Sequence, residues 1–468
     1  MMEKTYVSKG AAALDLSDEQ AESLFSQALA QALAEVGLSA GKPGKVLILP
    51  PDITRLHSRA GFFTDIAFRE LTGLGIEVTV MPALGTHIPL TDSELERMFP
   101  NTPRQFFRVH DWRNDVVDLG RIEKEWVEKT TGGAATYDWP VQVNRLLLEG
   151  GFSLIISIGQ VVPHESIGMA NHAKNIFVGT GGKEAIDKSH FAGAVFGMEK
   201  MMGRTDTPIR ALFDEGMRRH GGRLPPIFFA LTVVSARGET ETANNPGALR
   251  DSTALRGLYA GFGRECFVQA AGLARQVNID LLDEPIRKAV VYLDPEEFRT
   301  TWLGNKALYR TRMAMATGGE LLIIAPGIER FGEDMGMDAL IRRIGYRTGN
   351  EIQDMAKTDA ELANNLVAAG HLIHGSNEKR FTVRYCPGPG ISRREIEAVY
   401  YEWGDIREAR ARYDISKLSP GWNTLADGEK IFFVPNPALG LWALRSSFNP
   451  DISFPLQIPC IIGVTRDL

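Results

Sequence analysis

Residues 152–174 read FSLIISIGQVVPHESIGMANHAK, and this stretch decides how the rest of the sequence is interpreted. Its apolar first half, residues 152–162, is typical of a strand buried in a parallel sheet. In open α/β sheets, ligands and catalytic groups collect just beyond the carboxyl ends of such strands. His164 and Lys174 follow this strand and His190 comes soon after, although the chain has only nine histidines. The stretch therefore predicts a functional site at the end of a strand.

The same alternation of strand and helix signals extends along the chain. It predicts an α/β fold with parallel-type sheets flanked by helices. The predicted strands span residues 45–50, 78–83, 152–162, 227–235, 289–293 and 320–325. The predicted helices span residues 61–71, 191–202, 209–219 and 254–275, and a capping-box pattern at residues 91–94 opens a further short helix.

The length of 468 residues favours at least two domains. An acidic, proline-containing segment at residues 280–285 (DLLDEP) follows the long helix predicted before it. A new set of strand and helix signals begins after that segment. We therefore predict domains at about 1–280 and 281–468.

Composition narrows the classes of function. The net charge is −6, from 52 basic and 58 acidic residues, and no basic tract indicates a nucleic-acid partner. The three cysteines, Cys266, Cys386 and Cys460, are widely spaced, which favours a reducing compartment over a disulfide framework. The N-terminus has no apolar signal segment and no apolar run of membrane-spanning length occurs. We expect a cytoplasmic enzyme without a membrane partner.

Polar residues follow two further predicted strands. Asp52 and Arg55 come after the strand at 45–50, and His87 comes after the strand at 78–83. Alone, Asp52 and Arg55 are more typical of a turn and a surface charge, whereas in a site Arg55 could bind a carboxylate or phosphate, oriented by Asp52. The three strands would bring Asp52, His87 and His164 to one edge of a sheet. That convergence favours function for each.

Other motifs fail. The run GTGGK at residues 179–183 lacks the first glycine of a phosphate loop, and no GxSxG nucleophile elbow occurs. His371 and His374 have helical spacing but no acidic partner in an HExxH frame, so we interpret them as structural.

Taken in order, these residues resemble the nickel-dependent lactate racemase (LarA-like) family. The likeness rests on DxTR at 52–55, ALGTH at 83–87, His164 followed by Lys174, and then His190. A looser similarity is present at residues 302–332. It implies two α/β domains with the active site in the cleft between them. It also implies a racemase or epimerase of a 2-hydroxy acid.

The resemblance implies a cofactor and a role for each residue. The family's cofactor is a nickel pincer nucleotide, a pyridinium-3,5-bisthiocarboxylic acid mononucleotide carrying nickel, which makes cofactor-biosynthesis proteins expected partners. Lys174 would tether it covalently, and His190 would bind nickel. His87 and His164 would be the acid/base pair, acting during reversible hydride transfer through a 2-keto acid. Asp52 and Arg55 would belong to the cofactor and substrate shell.

The substrate is less closely defined by the resemblance. Trp302 and Lys306 are predicted to contact it, and nearby Asn305, Arg310 and Arg312 are polar beyond what the methyl group of lactate needs. These residues favour a larger, polar acid such as a sugar acid, although Arg310 and Arg312 could equally form a solvated helix face.

His172 stands where lactate-specific relatives have glycine, and we expect it to bear on substrate choice. Two alternatives remain open: a zinc-dependent hydrolase using His164, His172 and His190, and a non-catalytic carrier of the nickel cofactor.

Overall fold

The computed structural model describes residues 3–236, 253–438 and 440–448. Its first six-stranded sheet is built from the N-terminal half of the chain. In spatial order the strands are Lys4–Gly10, Thr253–Phe262, Ile227–Ala236, Leu154–Gln160, Lys45–Leu49 and Glu77–Val80. The last four run parallel to one another, whereas the first two pair antiparallel. The strand at the centre of the sequence argument, Leu154–Gln160, is buried along its whole length and lies inside the sheet.

Helices cover this sheet and pack apolar side chains against both faces. They are Asp18–Glu35, Ala60–Gly73, Asp92–Met98, Lys124–Thr131, Arg145–Glu149, Ala173–Phe177, Lys183–Phe196, Met198–Met201, Pro208–His220 and Glu265–Asn278, with 3-10 turns at Ile53–Ser58, Arg104–Phe106 and Gly221–Arg223. Thr91 caps the third of these helices through the capping box that its sequence predicts.

A second six-stranded sheet is built from later residues. Its order is Glu402–Trp403, Thr382–Pro387, Met315–Ala325, Ile286–Tyr292, Lys430–Val434 and Gly421–Thr424, and all neighbours except the last pair are parallel. Its helices are Thr301–Gly304, Lys306–Thr311, Met335–Ile344, Gly349–Ala356, Ala360–Ala363, Leu366–His374, Arg393–Ala398 and Ile406–Arg412. The two sheets thus draw on different parts of the chain, 4–262 and 286–434, on either side of residue 280.

Three two-stranded ladders complete the fold. They are Ile279–Leu282 with Leu441–Leu444, Val116–Ile122 with Trp139–Asn144, and Pro163–His164 with Gly168–Met169. No helix among the described residues is both long and apolar enough to span a bilayer.

The α/β fold with parallel-type sheets flanked by helices is confirmed, but two element predictions need correction. The helix predicted at 254–275 is wrong in its first part: Thr253–Phe262 is a strand, and the helix begins at Glu265. A strand buried on both faces lacks the alternation that distinguishes it from a buried helix. The helix predicted at 191–202 begins earlier, at Lys183, and is interrupted at Gly197, whose φ of 109° is not helical. Cys460 lies outside the described residues.

Candidate active site

The parallel register of three strands places three polar groups at one edge of the first sheet. Lys45–Leu49 pairs in parallel with Glu77–Val80 on one side and with Leu154–Gln160 on the other. Asp52, His87 and His164 follow these strands and line a common cavity.

The same cavity collects all the residues that the resemblance assigned to catalysis, cofactor, metal or substrate binding. Its walls include Asp52, Arg55, His87, His164, Lys174, His190, Trp302 and Lys306. Because Trp302 and Lys306 belong to the second half of the chain, the cavity lies between the first sheet and the helices beside the second.

Asp52 orients His87. The Asp52 carboxylate is buried, accepts hydrogen bonds from the Thr54 amide (3.1 Å) and hydroxyl (2.5 Å), and also bonds to His87 Nδ1. Burial alone would raise the pKa of Asp52, but His87, Thr54 and Arg55 outweigh it and lower that pKa to about 2. An ionised carboxylate can only accept, so His87 Nδ1 donates, and in the neutral form of the ring Nε2 carries the lone pair. The structure thus joins Asp52 to His87 by a hydrogen bond, while Arg55 acts on Asp52 through its charge.

His164 is held in the opposite way. Its Nδ1 accepts a hydrogen bond from the Ser166 amide at 3.3 Å, which leaves the proton of the neutral ring on Nε2. Burial holds the pKa of His164 well below its usual value, even though Glu165 acts to raise it. The neutral ring of His164 therefore offers a donor at Nε2.

His190 has the environment of a metal ligand. It lies on the helix Lys183–Phe196, and its Nδ1 is 2.9 Å from the Ile186 carbonyl, to which it can only donate. Burial lowers the pKa of His190 to about 4, so the ring is neutral near pH 7 and its Nε2 carries a lone pair. Metal-binding histidines characteristically donate their other ring N–H in this way.

Lys174 extends the same wall from the helix Ala173–Phe177. Burial, followed by the neighbouring charge of Arg55, lowers the pKa of the Lys174 amine to about 8. A larger fraction of neutral amine is therefore present near pH 7 than for an ordinary lysine, and the neutral form is the one that makes covalent bonds.

His172 does not belong to the cavity, contrary to the expectation that it bears on substrate choice. Its ring packs against Phe229 and Phe267, with centroid distances of 4.2 and 5.3 Å, and its Nε2 lies 3.1 Å from the Gly263 carbonyl. The zinc site of His164, His172 and His190 is therefore not assembled. Within the described ranges, no three His, Cys, Asp or Glu side chains are grouped to hold a metal.

The second half of the chain supplies wall residues whose function the sequence interpretation missed. His371 and His374 both line the cavity rather than serving the core alone. His371 bonds to the hydroxyls of Tyr309 and Tyr346, each at 2.9 Å, and stacks on Trp302 at 4.1 Å. The helical spacing of His371 and His374 indicated that the two side chains lie near each other on one helix. The sequence alone could not show which part of the structure they contact.

The polar residues near Lys306 separate into different roles. Arg312 pairs with Glu199 at 2.9 Å and bonds to the carbonyls of His374 and Ser376. Asn305 accepts a hydrogen bond from the Tyr385 hydroxyl. Both are buried structural groups, so Arg312 belongs neither to a substrate contact nor to a solvated face.

Positive charge exceeds negative charge around the cavity. Lys306 lines it, and burial, followed by Arg55, lowers the Lys306 pKa to about 8. Arg310 is fully buried, and Arg55 Nη1 is buried without a hydrogen-bond partner. With Lys174 these make four cationic groups, whereas the acidic groups at this place are Asp52, already bonded to His87, and Glu165. Such an excess favours an anionic ligand.

Comparison with known proteins places the chain in a class. Over 93% of its length it superposes on all of a crystal structure of a protein from Thermotoga maritima, with a TM-score of 0.76 and 26% sequence identity. It also resembles the lactate racemase apoprotein from Thermoanaerobacterium thermosaccharolyticum, with a TM-score of 0.63 and 16% identity over 92% of this chain and 96% of that one. The second likeness shows that the fold is that of a lactate racemase. A search of curated proteins gave no match.

Residues 7–203 match the family model of the lactate racemase N-terminal domain. Residues 7–203 are therefore similar to a lactate racemase N-terminal domain, and this part of the chain contains Asp52, His87, His164, Lys174 and His190. This similarity supports an isomerase of the racemase type.

Proposed function

We propose that the protein is a nickel-dependent racemase or epimerase that inverts C2 of a 2-hydroxy acid larger and more polar than lactate, such as a sugar acid. The observation that carries this proposal is the pair His87 and His164, which share one cavity with Lys174 and His190. The two histidines present opposite Nε2 states, an acceptor on His87 and a donor on His164. Removal of the hydroxyl proton needs the acceptor, and the carbonyl oxygen that forms is stabilised by the donor.

The chain's own groups fit a nickel pincer nucleotide. His190 Nε2 would bind nickel, because Nδ1 is fixed by the Ile186 carbonyl. Lys174 would form the covalent link, since its lowered pKa favours the neutral amine. When bound, the cofactor supplies an acceptor for the C2 hydrogen as hydride, which avoids removing an unacidic proton next to a carboxylate.

The remaining steps belong to the protein. Arg55 and Lys306 would bind the substrate carboxylate, because both are cationic groups at the cavity wall. His87 Nε2 would take the hydroxyl proton while Asp52 stabilises the resulting imidazolium. His164 Nε2–H would donate a hydrogen bond to the oxygen of the planar 2-keto acid, and the proton held on His87 would return to that oxygen, so that both rings end neutral. Return of hydrogen to the other face of C2 then gives the other stereoisomer.

The experiment uses protein purified from a host that makes the cofactor. We expect one equivalent of nickel, an intact mass above that of the bare chain with the adduct on Lys174, and interconversion of the C2 isomers of a 2-hydroxy acid on chiral chromatography. A bare-chain mass in active enzyme would contradict the covalent link. Nickel and adduct without turnover of any acid would favour the cofactor carrier instead.

A further inference from the structure

A carboxylate lines the cavity without a partner of its own. Glu165 follows His164 directly, and within the described residues its side chain makes neither a hydrogen bond nor an ion pair with another residue. Burial acts to raise the pKa of Glu165, but neighbouring positive charge, including that of Arg310, outweighs it and holds that pKa well below its usual value. Glu165 is therefore ionised, and an ionised carboxylate in a cavity is an acceptor that needs donors.

Two further buried groups near Glu165 are also unsatisfied. His374 lines the cavity, and its Nε2 has no hydrogen-bond partner; burial lowers its pKa to about 3, so the ring is neutral. Arg310 is fully buried, and none of its three guanidinium nitrogens has a hydrogen-bond partner, although its charge interacts with Glu165. Leaving such groups unpaired costs about 1–3 kcal/mol each, and more for charged groups. A ligand in the cavity that supplies the missing hydrogen bonds of Glu165 and His374 is thereby favoured.

We propose that Glu165 and His374 form a binding site for hydroxyl groups on substrate carbons beyond C2. This assignment rests on the proposed function and specifies its substrate class. A hydroxyl group both donates and accepts, so it satisfies Glu165 and either tautomer of His374. A methyl group does neither, and a second carboxylate is repelled by Glu165.

The first test compares acids that differ only beyond C2, using wild-type holoenzyme. Lactate and glycerate differ by one hydroxyl on C3, malate carries a second carboxylate, and a six-carbon aldonate extends the hydroxylated chain. A site built to bond a hydroxyl rejects the analogue that lacks it strongly, so we expect kcat/KM for the better of glycerate and the aldonate to exceed that for lactate or malate by at least about 100-fold. Lactate or malate turned over as well as the hydroxylated acids would overturn the site.

The second test assigns the preference to these residues. Glu165→Gln is expected to lower the ratio of kcat/KM for the hydroxylated acid to that for lactate by about tenfold or more. The matched control is Glu149→Gln, the same substitution at an exposed glutamate paired with Arg145, which should leave the ratio unchanged. His374→Leu removes the second polar group and is expected to lower the same ratio, which keeps the test available if Glu165→Gln does not fold.

The outcomes separate the two proposals. An unchanged ratio in both variants overturns the hydroxyl site but leaves the racemase intact. Nickel-loaded wild type that turns over none of the acids overturns both.

Discussion

The two sides of the cavity differ in how their polar groups are held. On the side of the first sheet each histidine has a fixed partner: Asp52 for His87, the Ser166 amide for His164 and the Ile186 carbonyl for His190. On the side of the second sheet, His371 is bonded to two tyrosines, but the Nε2 atom of His374 is buried without a hydrogen-bond partner. Groups with fixed partners are suited to chemistry, because orientation and tautomer are set before substrate binds. Groups without partners are suited to recognition, because the ligand can supply their missing hydrogen bonds.

The largest effect is expected on the side of the first sheet. His87→Ala and His164→Ala should each lower kcat by about 10³-fold or more, since the first removes the proton acceptor and the second removes the hydrogen-bond donor to the carbonyl oxygen. Nickel content should stay at the wild-type level in both, measured by elemental analysis of purified protein.

His190→Ala is the contrasting variant on the same wall. It should lose nickel as well as turnover, because it removes the proposed ligand. Full nickel content in His190→Ala would contradict that assignment.

Asp52→Asn tests whether the fixed partner of His87 matters. An amide can donate to Nδ1 and so favour the tautomer with a proton on Nε2, which cannot accept the substrate's proton. We expect kcat to fall by about 10²–10⁴-fold with KM little changed. A large rise in KM with kcat retained would instead assign Asp52 to substrate binding.

Lys306→Met tests the opposite wall, where binding rather than chemistry is expected to suffer. Loss of a charged hydrogen bond should lower kcat/KM by about 10–100-fold, chiefly through KM. Because the pKa of Lys306 is about 8, its charge is lost as pH rises through that value, so the wild-type KM should rise above about pH 8. That rise should be absent in Lys306→Met.

The control for this variant is Lys357→Met, which changes an exposed lysine paired with Asp354 in the same half of the chain. Its KM should follow the wild-type pH dependence. A pH-dependent rise that persists in Lys306→Met would assign the titration to another group.

The smallest effect is expected at His172, outside the cavity. Its folded pKa is about 3, so the unfolded chain takes up a proton first as pH falls below about 6.5. The stability that this histidine contributes is complete above that pH and is lost as pH falls toward 3. Between pH 7 and pH 5, the free energy of unfolding should therefore fall by about 2 kcal/mol less in His172→Phe than in wild type. Denaturant titrations at the two pH values measure the difference, and equal losses would contradict it.

The residues on the first-sheet side of the cavity were easier to predict from the sequence than those on the second-sheet side. Asp52, His87 and His164 each follow a recognisable buried strand, and parallel strands bring such positions to one edge. The strand Thr253–Phe262 was misassigned because its continuous burial removes the periodicity that separates strand from helix.

The position of a side chain within a continuous segment was harder to predict. His172 lies two residues before Lys174 yet packs on Phe229 and Phe267, since direction depends on backbone angles that composition does not show. Its φ of 58° is in the left-handed region, which a non-glycine residue rarely adopts. His374 and Arg310 could be placed beside Glu165 only once the two halves of the chain were assembled.

The most direct test of the racemase assignment follows the hydrogen at C2. A 2-hydroxy acid deuterated at C2 is incubated with nickel-loaded enzyme in ordinary water. The two isomers are then separated, and the deuterium content of each is measured by mass spectrometry. Hydride transfer within the closed site predicts that the newly formed isomer retains the deuterium. Complete replacement of the deuterium by solvent hydrogen in the product, at the rate of inversion, would show that C2 loses a proton instead and would contradict the account.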